Sequence, residues 1–262
     1  MIKLIASDLD GTMLDDGKNL PENFAEVLNG LKDRKIRFAV SSGRSYCSLK
    51  KQFCDYVDDL IFICDNGAYV CDRGKTVSAS VMPAAAVKNI VRFCTAQGLG
   101  LLLCGKKGTW HNARDGGTLE EIRKYYINEQ YLEDLSAFDD EIFKVAVYEA
   151  EGIENGAYPK LRERYGDFFN VQLSGERWVD IMNIGITKGH ALHDMQNRLG
   201  VDYGETMSFG DYLNDIEMLE NSYYSFSMEN SHSMVKKAAN FSTGSNNDNS
   251  VMKEIIKLCI NN

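Results

Sequence analysis

No apolar run in this 262-residue chain approaches the length needed to cross a bilayer. The N-terminus enters a strand-like run directly, without the basic and apolar stretches of a signal peptide, so the sequence reads as cytoplasmic. Positive charge is scarce. Lys and Arg number 29 against 38 Asp and Glu, giving a net charge of −9 and a pI near 5.0. That argues against a nucleic-acid partner, because a phosphate backbone needs clustered Lys and Arg. A small phosphate ester needs only a local positive pocket and a metal, and stays open. The seven cysteines are odd in number and form no Cys-x-x-Cys pair. Most lie in apolar stretches, as Cys64 does in Ile61-Phe62-Ile63-Cys64, and read as buried reduced thiols. His111, His190, His193 and His232 have no zinc-ligand spacing with cysteines. There is no internal repeat and no low-complexity tract.

What is present is a soluble, core-forming composition, 44% apolar and 26% charged, in a length that suits one large or two small domains. Strand and helix patterns alternate at the start: a strand over 2–6, a helix over 22–34, a strand over 36–40, a helix over 46–54 and a strand over 60–64. Alternation of this kind predicts right-handed crossovers and a parallel sheet. A hairpin over 68–72 and 76–81 follows, turning on Asp72-Arg73-Gly74-Lys75. The pattern changes near Pro83. Helices over 84–96, 119–126 and 154–164 are interleaved with strands over 99–104, 108–111, 142–149, 168–173 and 178–182. This predicts a mainly antiparallel α+β insert covering 83–185. The α/β pattern then returns, with helices over 188–198, 214–220, 231–238 and 250–258 and strands over 206–209 and 224–228. The predicted fold is α/β, a discontinuous core of 1–82 and 186–262 interrupted by the insert.

The candidate chemistry lies at strand ends. Asp8-Leu9-Asp10-Gly11-Thr12 leaves the first strand with two carboxylates one residue apart and a glycine free to turn. Open α/β sheets place ligands at that end of the strands. Like charges so close repel unless a cation or proton sits between them, so the pair suits a Mg²⁺ site with one carboxylate left as a nucleophile. Ser42-Gly43-Arg44 follows the second core strand, and a hydroxyl with backbone N–H groups at a helix start can cradle phosphate. Lys188 is set in the first turn of a helix, against the macrodipole preference, which suits a lysine facing an anion. Gly210-Asp211 ends another strand, with Asn214 and Asp215 after it: Asp211 can reach a metal and Asp215 can support its shell. Asn66 in Asn66-Gly67-Ala68 is a turn residue with a secondary prospect of touching substrate.

In that order, with those residues, the chain resembles the haloacid dehalogenase superfamily of phosphotransferases over its full length. Asp8 to Thr12 looks like the first motif, Ser42-Gly43-Arg44 the second, Lys188-Gly189 the third, and Gly210-Asp211 through Asn214-Asp215 the fourth. The insert between the second and third motifs is similar to the cap of the Cof-type subfamily. Ser42 stands where that subfamily usually carries Thr, and keeps the hydroxyl. The resemblance implies a Rossmann-like core with a specificity cap, and a Mg²⁺-dependent phosphatase acting on small phosphorylated metabolites, sugar phosphates first among them. It implies Asp8 as the nucleophile that becomes an aspartyl-phosphate. Asp10 would serve as general acid and then base, and Ser42, Gly43, Arg44, Lys188 and Asn214 would lie around the phosphoryl group. The metal would be held by the Asp8 carboxylate, the Asp10 backbone carbonyl and Asp211, with Asp215 in the outer shell. His111, Arg114, Ser174, Glu176 and Arg177 of the insert are candidates for reading the leaving group. A phosphomannomutase-like phosphomutase and a non-catalytic phosphate-ester binding protein are the alternatives.

Overall fold

Leu4–Ser7 is buried throughout and opens on three apolar residues without alternation, because both faces of the strand it forms are covered. The computed structural model describes residues 1–261 and resolves this strand as the middle of an eight-stranded sheet. In chain order the first half of the molecule gives β1 (Leu4–Ser7), α1 (Phe24–Asp33), β2 (Arg37–Ser41), α2 (Tyr46–Gln52), β3 (Leu60–Cys64), β4 (Tyr69–Asp72), β5 (Lys75–Ala79), α3 (Ala84–Ala96), β6 (Gly100–Gly105), β7 (Thr109–His111), α4 (Gly116–Tyr125) and β8 (Glu129–Tyr131). Then come β9 (Ile142–Tyr148), α5 (Ala157–Tyr165), β10 (Phe169–Gly175), β11 (Trp178–Asn183), α6 (Lys188–Leu199), β12 (Thr206–Gly210), α7 (Ile216–Glu220), β13 (Tyr224–Ser227), α8 (Ser233–Ala238), β14 (Phe241–Ser242) and α9 (Ser250–Ile255).

The first sheet runs β14-β13-β12-β1-β2-β3-β4-β5. It is parallel from β14 to β3, and β4 and β5 close its edge as an antiparallel hairpin. Arg73 and Gly74 both have positive φ, the two-residue turn whose twist matches that of the strands it joins. One face of the sheet packs Ile5, Phe38, Phe62 and Phe209 against α1 and α9. The other packs Leu4, Ala39 and Ile61 against Leu192 and Met195 of α6. From β1 the chain moves outward through β2 and β3, and it returns to the opposite side of β1 as β12. The β1–β12 boundary is therefore the switch point where such sheets leave a crevice at the carboxyl ends of their strands.

The second sheet runs β10-β11-β9-β6-β7-β8 and is antiparallel except for β7 and β8. One face is covered by α3 and α5 through Val87, Ile90 and Leu161. The other holds Leu102, Ile122, Tyr126, Tyr148 and Trp178.

The structure differs from the sequence reading at several ends. β8 and β14 carry no periodic signal, being three and two residues long. The helix expected over 214–220 begins as a 3₁₀ turn, Leu213–Asp215, because Asp215 Oδ2 accepts the N–H groups of Asp211 and Tyr212 and winds the chain tightly there. The helix expected from 154 begins at Ala157, where the Ala157 N–H donates to the Glu149 carboxylate. The last helix loosens after Ile255 into a π turn, Ile256–Ile260. All seven cysteines are free thiols, with Cys54 exposed and Cys47 half-buried. No helix among the described residues is long and apolar enough to cross a membrane.

Candidate active site

β1 and β12 are hydrogen-bonded neighbours, so the residues that leave their carboxyl ends emerge side by side. The Asp8 N–H donates to the Phe209 carbonyl, which sets Asp8 beside the Gly210–Asp211 turn. Gly11 then passes close to Asp211 at φ +79°, where a Cβ would lie 2.5 Å from Asp211 Oδ2 and would have to displace that carboxylate. Thr12 Oγ1 donates to Asp211 Oδ1 at 3.0 Å and orients that carboxylate. Oxygens of Asp8, Asp211 and Asp215 converge within 4.8 Å of one another.

α6 brings the balancing charge. Thr187 caps its start by accepting the His190 N–H, so Lys188 occupies the first helical position. The buried Lys188 ammonium donates to Asp8 Oδ1 at 2.5 Å and to Asp215 Oδ1 at 2.7 Å. One ammonium cannot neutralise three carboxylates, two of them buried and one half-buried. Burial raises the Asp8 carboxyl to about 7 against the pull of Lys188, with the Asp215 and Asp10 charges adding to the rise. Burial and the neighbouring Asp8 and Asp215 charges likewise push Asp211 well above the ordinary range. Burial disfavours charge on Lys188, but Asp215 and Asp8 outweigh it and its pKa is raised. The donor set is oxygen-only and short of positive charge, which is what a hard divalent cation requires. Both Asp215 oxygens are already engaged by Lys188 and by two backbone N–H groups, which suits a supporting position rather than a direct ligand.

The Asp10 carboxylate stands outside this cluster. Arg44 grips it with two hydrogen bonds, Nε to Oδ2 at 2.8 Å and a terminal nitrogen to Oδ1 at 2.7 Å, and Lys18 adds a third at 2.8 Å. Burial works to raise this carboxyl, yet Arg44 and Lys18 prevail and its pKa is lowered. The ring of Tyr125, at the end of α4, lies over both cations, 5.3 Å from Lys18 and 5.8 Å from Arg44.

Ser42 is buried and lines the cavity, but it precedes the first helical residue of α2, Tyr46, by four positions, and Ser45 is the residue that flanks the helix. The expected cradle is therefore a loop, with Ser42 Oγ accepting the Arg44 N–H at 3.2 Å. Arg44 also lines the cavity, where its guanidinium pairs with Asp10. Asn214 also lines the cavity, and its amide donates to Asn66 Oδ1 at 3.0 Å.

The cavity encloses about 610 Å³ between the two sheets. Ser174, Glu176 and Arg177, at the turn joining β10 and β11, line it. His111 and Arg114 do not: His111 is buried in β7, and Arg114 is bound to Glu133 and Tyr131 at the surface. Lys18, Tyr125, Lys144 and Asp180 also line the cavity, and the sequence reading missed all four. Lys18 has positive φ within a polar turn, a faint signal; the charged residues inside β9 and β11 gave none.

Residues 5–255 match the family described as haloacid dehalogenase-like hydrolase. The chain is 31% identical over 260 residues to 5-amino-6-(5-phospho-D-ribitylamino)uracil phosphatase YbjI of Escherichia coli (strain K12), covering 98% of this chain and 96% of that one. It is 25% identical over 262 residues to the Bacillus subtilis (strain 168) protein YitU, which carries the same activity name, with 95% of each chain covered. Among solved structures, SMU.1108c from Streptococcus mutans UA159 superposes with a TM-score of 0.93 at 26% identity over 98% of both chains. A subclass IIB sugar phosphatase of the superfamily shares the fold, with a TM-score of 0.82 at 20% identity over 98% of this chain and 99% of that one.

Proposed function

We propose, for a chain that belongs to the haloacid dehalogenase-like hydrolases and is a phosphoric monoester hydrolase, that it hydrolyses small phosphorylated metabolites through an aspartyl-phosphate on Asp8, with Mg²⁺ as cofactor. The observation that carries this reading is the convergence of Asp8, Asp211, Asp215 and Lys188 at the β1–β12 switch point.

An Asp8 oxygen attacks phosphorus in line, the bond to the leaving oxygen breaks, and Asp10 supplies the proton that oxygen needs. Water then attacks the aspartyl-phosphate and gives its proton to Asp10, releasing phosphate and restoring Asp8. The grip of Arg44 and Lys18 holds Asp10 as a carboxylate, the form the second half-reaction uses; donation in the first requires Asp10 to leave that grip. Lys188 spends two of its three N–H groups on Asp8 and Asp215, and the third can meet a phosphoryl oxygen. The Ser42–Arg44 loop binds the same group. Asp8, the Asp10 carbonyl and Asp211 would hold Mg²⁺, with Asp215 behind them, and the metal supplies charge neutralisation for the transferring group.

Residues 83–185 act as the cap that chooses the substrate. The polar part of its contribution to the cavity, from Glu121, Lys124, Ser174, Glu176 and Arg177, favours a polyhydroxylated leaving group such as a sugar phosphate. A ribityl phosphate carrying a pyrimidine is the second substrate reading, favoured by the named activity of the Escherichia coli relative and by the Tyr125 and Trp178 rings lining the cavity. The reading belongs to a cytoplasmic enzyme whose partners are small molecules. The test is phosphate release from sugar phosphates, ribityl phosphates and an aryl phosphate, with Mg²⁺ and with chelator. Release with metal that ceases on chelation is expected. Undiminished release in chelator overturns the metal, and release only when a sugar bisphosphate is added moves the reading to a phosphomutase.

A further inference from the structure

The loop Ser42-Gly43-Arg44 is held by its carbonyl groups. Ser42 O accepts the Asn66 N–H at 3.0 Å, and Arg44 O accepts the Asp65 N–H at 3.0 Å. Between them, Gly43 O accepts the ammonium of Lys144 at 2.5 Å. A trans peptide is planar, so its C=O and N–H point in opposite directions. The three carbonyls face the Asp65–Asn66 turn and Lys144, so the N–H groups of Gly43, Arg44 and Ser45 point away from those partners. The Arg44 N–H is used by Ser42 Oγ.

Two of these three grips come from within the first sheet, from the turn after β3. The third comes from the other sheet. Lys144 stands in the middle of β9 and is fully buried. Its three N–H groups reach Gly43 O, the Tyr126 hydroxyl at 3.2 Å and Asp180 Oδ2 at 3.3 Å, and Asp65 Oδ1 lies 3.5 Å away. Asp180, from the neighbouring β11, also accepts from Asn66 Nδ2. Asp65 and Asn66 are buried non-glycine residues at φ +48° and +54°, a backbone state that persists only where surroundings over-determine it. Supporting the packing of two sheets does not require a lysine bound to the backbone of this loop; a buried apolar residue would serve as well or better.

We propose that Lys144 is a positioning residue for the phosphate-binding loop: its ammonium fixes the Gly43 peptide, so the loop is set for a phosphoryl group only while the second sheet is docked on the first. The inference rests on the reading that this loop binds the transferring group. Undocking the sheets removes the grip on Gly43 and leaves the strained Asp65–Asn66 turn without Asp180. The cap is then part of the phosphate site as well as its cover.

The experiment measures binding of inorganic phosphate in Mg²⁺ by calorimetry, with melting temperature and steady-state KM and kcat alongside. The proteins are wild type, Ser42→Ala, Lys144→Met and the double variant Lys144→Met with Asp65→Asn. The double variant removes one positive and one negative charge, so the cluster keeps its net charge and the protein keeps its means of folding. Weakening of phosphate by about 10-fold or more in the double variant, the scale of a lost hydrogen bond from a charged donor, with KM raised and the melt near wild type, is the expected result. A double variant that binds phosphate within about twofold of wild type overturns the inference, whatever its melting temperature. Wild type that binds no phosphate, or binds it unchanged by Ser42→Ala, overturns the loop reading itself and this inference with it.

Discussion

The cluster at the ends of β1 and β12 and the cluster between the two sheets are both built of aspartates around one fully buried lysine. They differ in where the lysine stands. Lys144 sits centrally and uses its three N–H groups on a carbonyl, a hydroxyl and a carboxylate. Lys188 sits to one side, and the oxygens of Asp8, Asp211 and Asp215 turn toward one another. In the first arrangement every N–H of the lysine meets an acceptor, and one oxygen, Asp65 Oδ1, stays buried without a hydrogen bond. The second keeps an excess of negative charge in a small volume, which a divalent cation would relieve. Burial of charge therefore does not by itself mark a catalytic centre; the direction in which the lone pairs point does.

The sharpest test of this contrast is Asp8→Asn. Turnover should fall by at least about 10⁴-fold, the order of a lost covalent nucleophile, while the melting temperature stays level or rises, because one of three crowded carboxylates is gone. Phosphate release near the wild-type rate, with deamidation excluded by mass, would break the assignment.

Next is Asp65→Asn. Burial pushes the Asp65 carboxyl up to about 6, against Lys144 and with Asp180 adding to the rise. The folded state then holds a proton that the unfolded state has released, so this group's contribution to stability declines as pH rises from about 4 to about 6. Relative to wild type, the asparagine variant should gain up to about 3 kcal/mol across that window. Urea unfolding at pH 4, 5, 6 and 7.5 measures it, and parallel curves for the two proteins would show Asp65 titrating as an ordinary carboxyl.

The smallest effect separates backbone from site. Gly11→Ala and Gly98→Ala both put a side chain at positive φ, +79° and +72°, which costs roughly 1–2 kcal/mol each. Only at Gly11 does the new Cβ meet a carboxylate, Asp211, whereas nothing lies within 4 Å of it at Gly98. Both variants should unfold earlier, but only Gly11→Ala should bind Mg²⁺ more weakly. Equal Mg²⁺ affinity in the two would remove Gly11 from the site.

Much of this was legible in the chain. Asp8 and Ser42 follow the apolar stretches 4–6 and 38–40, whose lack of alternation announces strands buried on both faces, and Asp211 ends a strand of the same sheet. Lys188 was legible from its place at the start of a helix. Lys144 and Asp180 were not, because a charge inside Ile142–Tyr148 or Trp178–Asn183 reads as the solvent side of an ordinary strand. The pairing of Arg44 with Asp10 was hidden for a related reason: it joins residues 34 apart that meet only when β1 and β2 lie side by side.

By itself, the sequence determined all but the shortest elements, the α/β alternation with its inserted α+β stretch, and the order of acidic pair, hydroxyl loop, lysine and second acidic pair. These follow from rules that act over a few residues: side-chain period, glycine at positive φ, and caps. The tertiary structure alone decided which charges lose their water and which partners they find there. Desolvation depends on what packs from afar, and the sheet that covers Lys144 and Asp180 comes from parts of the chain that their local pattern does not encode.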